Sequence, residues 1–128
     1  MIARLLGSAF LVFSTPAQAA PIPLPSGHSA ELIEAMWDDS AGAGTDLRLR
    51  FLSADLSPGT EFQDVEIDLA MLCDAVALPI LAETGREVGQ IVISLSDRPV
   101  PFGETDPEAT QHFDTFRPEG GACIWDGY

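Results

Sequence analysis

The chain has 128 residues, 20 of them acidic and six basic, with no lysine and a formal charge of −14. A chain of this length builds one core and is too small for two. Its acidic balance excludes nucleic acid and anionic membrane surfaces as partners, since both need a basic patch, and its many aromatic and branched residues exclude disorder over most of its length.

In chain order the first signal is an address. Residues 1–19 read as a signal peptide: Arg4 lies in a short basic start, residues 5–13 (LLGSAFLVF) form an apolar run, and Pro16-Ala17-Gln18-Ala19 ends in the small-x-small pattern that signal peptidase cuts. The run is about 9 residues, well short of the roughly 20 that span a bilayer. No cysteine lies at the cleavage point, so no lipid or other stable membrane anchor is expected. Cleavage after Ala19 places the mature protein in the periplasm or outside the cell. Loss of Arg4 leaves five arginines against 20 acids, a formal charge of −15. Solubility and mutual repulsion explain such a surface; calcium or a basic partner is the sharper reading.

Residues 20–28 hold three prolines and read as an extended leader that stays out of the sheet. Residues 29–128 read as a single α+β domain. Its first strand is 29–37, with Ile33, Ala35 and Trp37 on one face and Leu32, Glu34 and Met36 on the other. Residues 38–44 (DDSAGAG) form a turn, and 45–52 is the clearest strand, alternating Leu47, Leu49 and Phe51 with Asp46, Arg48 and Arg50. The two strands make an antiparallel hairpin in which Glu34 faces Arg48 or Arg50.

Ser57-Pro58-Gly59 marks a loop, and a helix begins near Asp64. Val65, Leu69, Leu72, Val76 and Ile80 recur at helical spacing, with Cys73 on the shoulder of that stripe. Asp64, Glu66 and Asp68 suit the positive end of the helix dipole and lack the glycine turn and distal glutamate of a calcium loop. Pro79 is expected to kink or end the helix. Residues 90–96 (QIVISLS) read as a central strand with Ile91, Ile93 and Leu95 on one face. Thr105-Asp106-Pro107-Glu108 has the form of a helix start, and Ala109, His112, Phe113 and Phe116 then predict a second helix ending at Pro118 and Gly120-Gly121. Residues 122–125 form a last strand with Cys123 and Trp125 on one face.

The order β-β-α-β-α-β predicts a four-stranded mixed sheet with both helices on one face. Two cysteines in an exported chain read as one disulfide, Cys73–Cys123, and inward-facing Cys123 then meets Cys73 on the first helix. Two helices on one side leave the other sheet face, with Leu32, Met36, Arg48, Arg50, Val92 and Ser94, uncovered.

The segments VISLSDRPVPFG, DPEATQHF and the terminal CIWDGY, with Leu72-Cys73 and Ala77-Leu78-Pro79, resemble a family of small exported proteobacterial proteins without established function. The resemblance runs from about residue 26 to 128 and implies a shared fold and disulfide. Relatives of this kind sometimes carry an acetolactate synthase label. The residues do not support it, because thiamine diphosphate enzymes need large paired domains and a diphosphate–metal site.

No nucleotide, zinc-protease, haem or calcium motif occurs, so neither a cofactor nor a metal is called for and no catalytic residue is assigned. His112 reads as a half-buried structural histidine, and His28 as a solvated one. Asp97-Arg98, between a strand end and two prolines, stands out as a stiffly held polar pair. Arg98 either clamps the loop to Asp106 or Glu108 or forks onto a partner's carboxylate. Candidate binding residues are therefore Asp97, Arg98, Arg48, Arg50 and His112, in a non-catalytic binding or accessory module of the cell envelope that meets an envelope protein. The alternative is a small periplasmic hydrolase or ligand-binding protein using His112 with Asp97 or Ser96.

Overall fold

Six strands form one sheet whose spatial order is the order of the chain. A computed structural model of the protein describes residues 20–39 and 44–127; the expected signal peptide lies outside the described residues. The strands are β1 (Ile22–Pro23), β2 (Ser29–Asp38), β3 (Asp46–Leu52), β4 (Gln90–Ser96), β5 (Gln111–Glu119) and β6 (Ala122–Trp125). All neighbours are antiparallel except β3 and β4, which are parallel. A parallel pair needs a long crossover, and the helical segment between them supplies it.

The core lies between this sheet and that helical segment. Leu47, Leu49 and Phe51 on β3 and Ile91, Ile93 and Leu95 on β4 are fully buried. They meet Val65, Leu69 and Leu72 of α1 (Phe62–Leu72), which are equally buried. Period-two alternation on the strands and a 3.6-residue stripe on the helix thus close on each other, as their spacing predicts. The opposite alternation on β3 sends Arg48 and Arg50 to the far face of the sheet.

A bulge on β2 changes which residues face the core. The pairing with β3 shifts between Leu32 and Glu34, so Ile33 is the extra residue, and it is 40% exposed. Before the bulge Ala30 and Leu32 face the core; after it the parity inverts and Trp37 packs there instead. Leu32, expected on the open face, therefore sits on the core side. Met36 and Glu34 stay on the open face, opposite Arg48 and Arg50.

The helical segment runs to Thr84 without a break. A π turn, Cys73–Ala77, joins α1 to α2 (Leu78–Thr84). Pro79 accounts for it. Its ring would press on the carbonyl four residues back and it has no N–H to donate; the turn widens, and the Leu78 N–H bonds the Cys73 carbonyl instead. The Gly85 backbone, left-handed at φ +67°, ends the helix. Cys73 in the π turn bridges to Cys123 on β6, and the neighbouring Asp74 accepts the Cys123 N–H at 3.1 Å.

Two expectations are corrected. Among the described residues the sheet has six strands, not four, and there is one helical segment, not two. Residues expected to form the second helix become β5: Thr105-Asp106-Pro107-Glu108 closes only a turn, with the Glu108 N–H on Asp106 Oδ1 at 2.9 Å and the Ala109 N–H on the Asp106 carbonyl at 3.1 Å. Beyond it the chain extends and satisfies the edge of β4, which a helix would have left unpaired. The leader also joins the sheet. Ile22 and Pro23 pair with β2 at its edge, where proline's missing N–H faces outward, and buried Leu24 ties the hairpin to the core.

Candidate functional site

The 14 residues from 97 to 110, connecting β4 to β5, form a strap over the open face of the sheet. Its base is closed by two hydrogen bonds: the Asp97 N–H donates to the Thr110 carbonyl at 3.1 Å, and the Thr110 N–H donates to Asp97 Oδ1 at 3.0 Å. Its tip reaches β3. Arg50 Nη2 donates to the carbonyl of buried Val100. The ring of Phe102 lies under both guanidinium groups, 5.5 Å from Arg48 and 5.8 Å from Arg50, contacts worth about 0.5–1 kcal/mol each at exposed sites.

Strap and sheet enclose a cleft of about 320 Å³. Val92 forms its floor with Ser94 and Thr115 beside it. Phe102 and Phe113, respectively 50% and 55% exposed, are its aromatic walls, and Glu104, Gln90 and Gln111 add polar groups. Phe113 is there because β5 alternates. Phe116, three residues on, points to the opposite face and is buried in the core.

The electrostatics of the cleft are closed on the cationic side. Arg48 Nε donates to Asp38 at 3.0 Å and its Nη2 lies 3.5 Å from Asp46. Arg50 pairs with Glu34 at 2.6 Å, the cross-strand contact expected from the hairpin. Two guanidiniums thus meet three carboxylates, and the Glu104 carboxylate, with no hydrogen bond or ion pair among the described residues, adds a fourth negative charge.

Arg48 and Arg50 line this cleft and His112 contributes to its lining, whereas Arg98 lies outside it and the His112 imidazole turns away to the other face of the sheet. Arg98 forks onto its own neighbour, with Nε 3.2 Å and Nη2 3.0 Å from the Asp97 carboxylate, so its clamp is not to Asp106 or Glu108 as expected. That fork, aided by the Thr110 N–H and opposed by partial burial, holds the Asp97 carboxyl below its usual pKa. The same carboxylate raises the pKa of Arg98. His112 pairs in register with Leu95 and faces the helix side. Its Nε2 lies 3.0 Å from the Thr60 carbonyl and its ring 6.4 Å from that of Phe62. Ser96, one residue beyond Leu95, faces the opposite side, and its hydroxyl donates to the Arg98 carbonyl at 2.6 Å. The sheet separates His112 from Ser96. His28 is half-buried rather than solvated, with Nδ1 unpartnered.

Phe102, Glu104 and Phe113 were not recognised as site residues from the sequence. A phenylalanine in a polar loop between prolines and acids was the available signal for Phe102. Nothing local marked Phe113, whose face depends on whether its segment is a strand.

Among the described residues, no three metal-ligating side chains converge and no helix is long and apolar enough to cross a membrane. Fold and cleft together define a small disulfide-bridged α+β domain with a roofed sheet face. The chain belongs to the DUF6497 family, a family of unknown function, whose model matches residues 9–128. No curated protein and no solved structure is significantly similar to it.

Proposed function

We propose that the protein is an exported, non-catalytic binding or accessory domain of the cell envelope, and that it meets its partner at the strap-roofed sheet face. The observation that carries this reading is the cleft itself: aromatic walls left half-exposed over a partly apolar floor, on a face that the helical segment leaves uncovered. At about 320 Å³ it lies at the small end of the roughly 300–1,000 Å³ typical of ligand sites, which suits one or two side chains of a partner better than a cofactor. The hydrolase alternative draws no support from the placement of Ser96 and His112 on opposite faces. The signal-peptide pattern and the disulfide support the export part of the reading.

The strap is suited to recognition because little ordering remains to be done when it binds. Pro99 and Pro101 restrict its backbone, Asp97 and Thr110 close its base, and Arg50 holds Val100. Filling the cleft tests the reading. Ser94→Trp should leave the melting temperature and disulfide near wild type while the tagged protein loses its partner from envelope fractions of its host. Ile67→Trp on the outer helix surface should retain it. Equal retention by both variants would refute the cleft as the binding surface. Intact mass of the exported protein should begin at Ala20; a retained Met1 would refute export by cleavage.

A further inference from the structure

Resting on that reading, we infer that the occupant of the cleft is a cationic segment of a partner polypeptide, a lysine or arginine whose charge meets Glu104 and whose aliphatic stem lies against Phe113. The inference comes from where the positive charges of the protein go. Each arginine of the described chain is already engaged within the protein: Arg48 with Asp38 and Asp46, Arg50 with Glu34, Arg98 with Asp97, Arg117 with Glu119 and Asp126. Arg86 stacks on the Trp37 ring at 4.0 Å. Within the cleft neither guanidinium is left over for a partner's carboxylate, so Arg48 and Arg50 are structural supports for Phe102.

What the cleft offers outward is therefore of one sign. Glu104 is exposed, unpaired and at the mouth of the cleft, and Asp106 and Glu108 follow it on the same strap. Around it the chain carries a formal charge of −14, whose summed field draws cations toward every concavity. Phe113 supplies the second element of recognition. A long basic side chain buries its methylenes on an apolar surface while its charged end stays in water or on a carboxylate, and an aromatic face adds attraction for the cation itself.

The probe is an amidated nonapeptide of alternating lysine and serine, titrated into the disulfide-intact exported protein and followed by amide chemical shifts. An otherwise identical peptide of alternating glutamate and serine is the control. The lysine peptide should shift Gly103, Glu104 and the amides of β5 from Gln111 to Thr115 in a saturable manner, and the glutamate peptide should shift none. Glu104→Gln should weaken the lysine peptide about threefold, the scale of one exposed ion pair. Phe113→Ala should weaken it too, and Glu66→Gln on the exposed helix surface should leave it unchanged. Equal weakening by Glu104→Gln and Glu66→Gln would reduce the effect to the general field of an acidic protein and overturn the inference. So would binding of the glutamate peptide. If Ser94→Trp abolishes partner retention while the lysine peptide leaves the cleft amides unmoved, the binding surface stands and the cationic occupant is wrong. If the lysine peptide binds at Glu104 while Ser94→Trp retains the partner, the chemistry stands and the functional reading is wrong.

Discussion

Asp97 holds the strap at its root in two ways, accepting the Thr110 N–H and the fork of Arg98. Because its carboxyl is held below its ordinary value of 3.8 in the folded protein, the stabilisation it contributes is complete above that value and is lost as pH falls through the lower, folded one. Exchange of the Thr110 amide should therefore gain an acid-dependent opening below about pH 4, the ordinary carboxylate range. Asp97→Asn should remove that dependence, and an identical profile in both proteins would contradict the assignment. Asp68 is the second residue whose role is visible only in three dimensions. Read as an acid suited to the helix dipole, it is 1% exposed and accepts both the N–H and the hydroxyl of Ser26, at 3.0 and 2.5 Å. Asp68→Ala would remove two hydrogen bonds to a carboxylate while exposed Ser26 returns its donors to water, a loss of about 1.5–3 kcal/mol on the scale of bonds to charged groups. The loss should show in chemical denaturation together with faster exchange in β1.

At the scale of elements, the disulfide joins the π turn of the helix to the last strand, and Asp74 braces the same junction. A bridge spanning 50 residues is worth about 4 kcal/mol on the chain-entropy model. Reduction, or Cys73→Ser with Cys123→Ser, should lower stability by that order and expose the amides of β6 before those of β3 and β4. Simultaneous loss of protection in all three would contradict this order. The elements that were legible from the sequence are those whose local pattern and tertiary environment agree. On β3 and β4 the alternation is strict and both strands are central. On α1 the stripe is continuous. β5 was not legible, because a proline-containing turn imitates a helix start and Ala109, His112, Phe113 and Phe116 fit helical spacing by chance; the unpaired edge of β4 decides the matter, and it lies in a different part of the chain. Nor was the bulge at Ile33, since one inserted residue inverts the parity of a strand whose residues still look acceptable on either face. The cleft was legible only as a bare sheet face with Arg48 and Arg50 on it. Its roof depends on Val100 and Phe102 reaching β3, a contact across about 50 residues of chain that no local pattern records.

For the molecule as a whole, the organisation is a division of faces. The helical segment covers one side of a six-stranded sheet and is pinned there by a disulfide; a short strap roofs part of the other and leaves two phenylalanines and a glutamate open. The two arginines of the roofed face are held by Glu34, Asp38, Asp46 and Phe102, so what that face offers outward is negative. On the proposed function, the protein meets its partner at the roofed face. Site-specific photo-cross-linking in the host tests it most directly, with a photoreactive amino acid replacing Phe102 or Phe113 in the cleft and, in separate strains, Ile67 on the helical side. The same discrete adduct is expected from both cleft positions and none from Ile67. Adducts from Ile67 with none from Phe102 or Phe113 would contradict it.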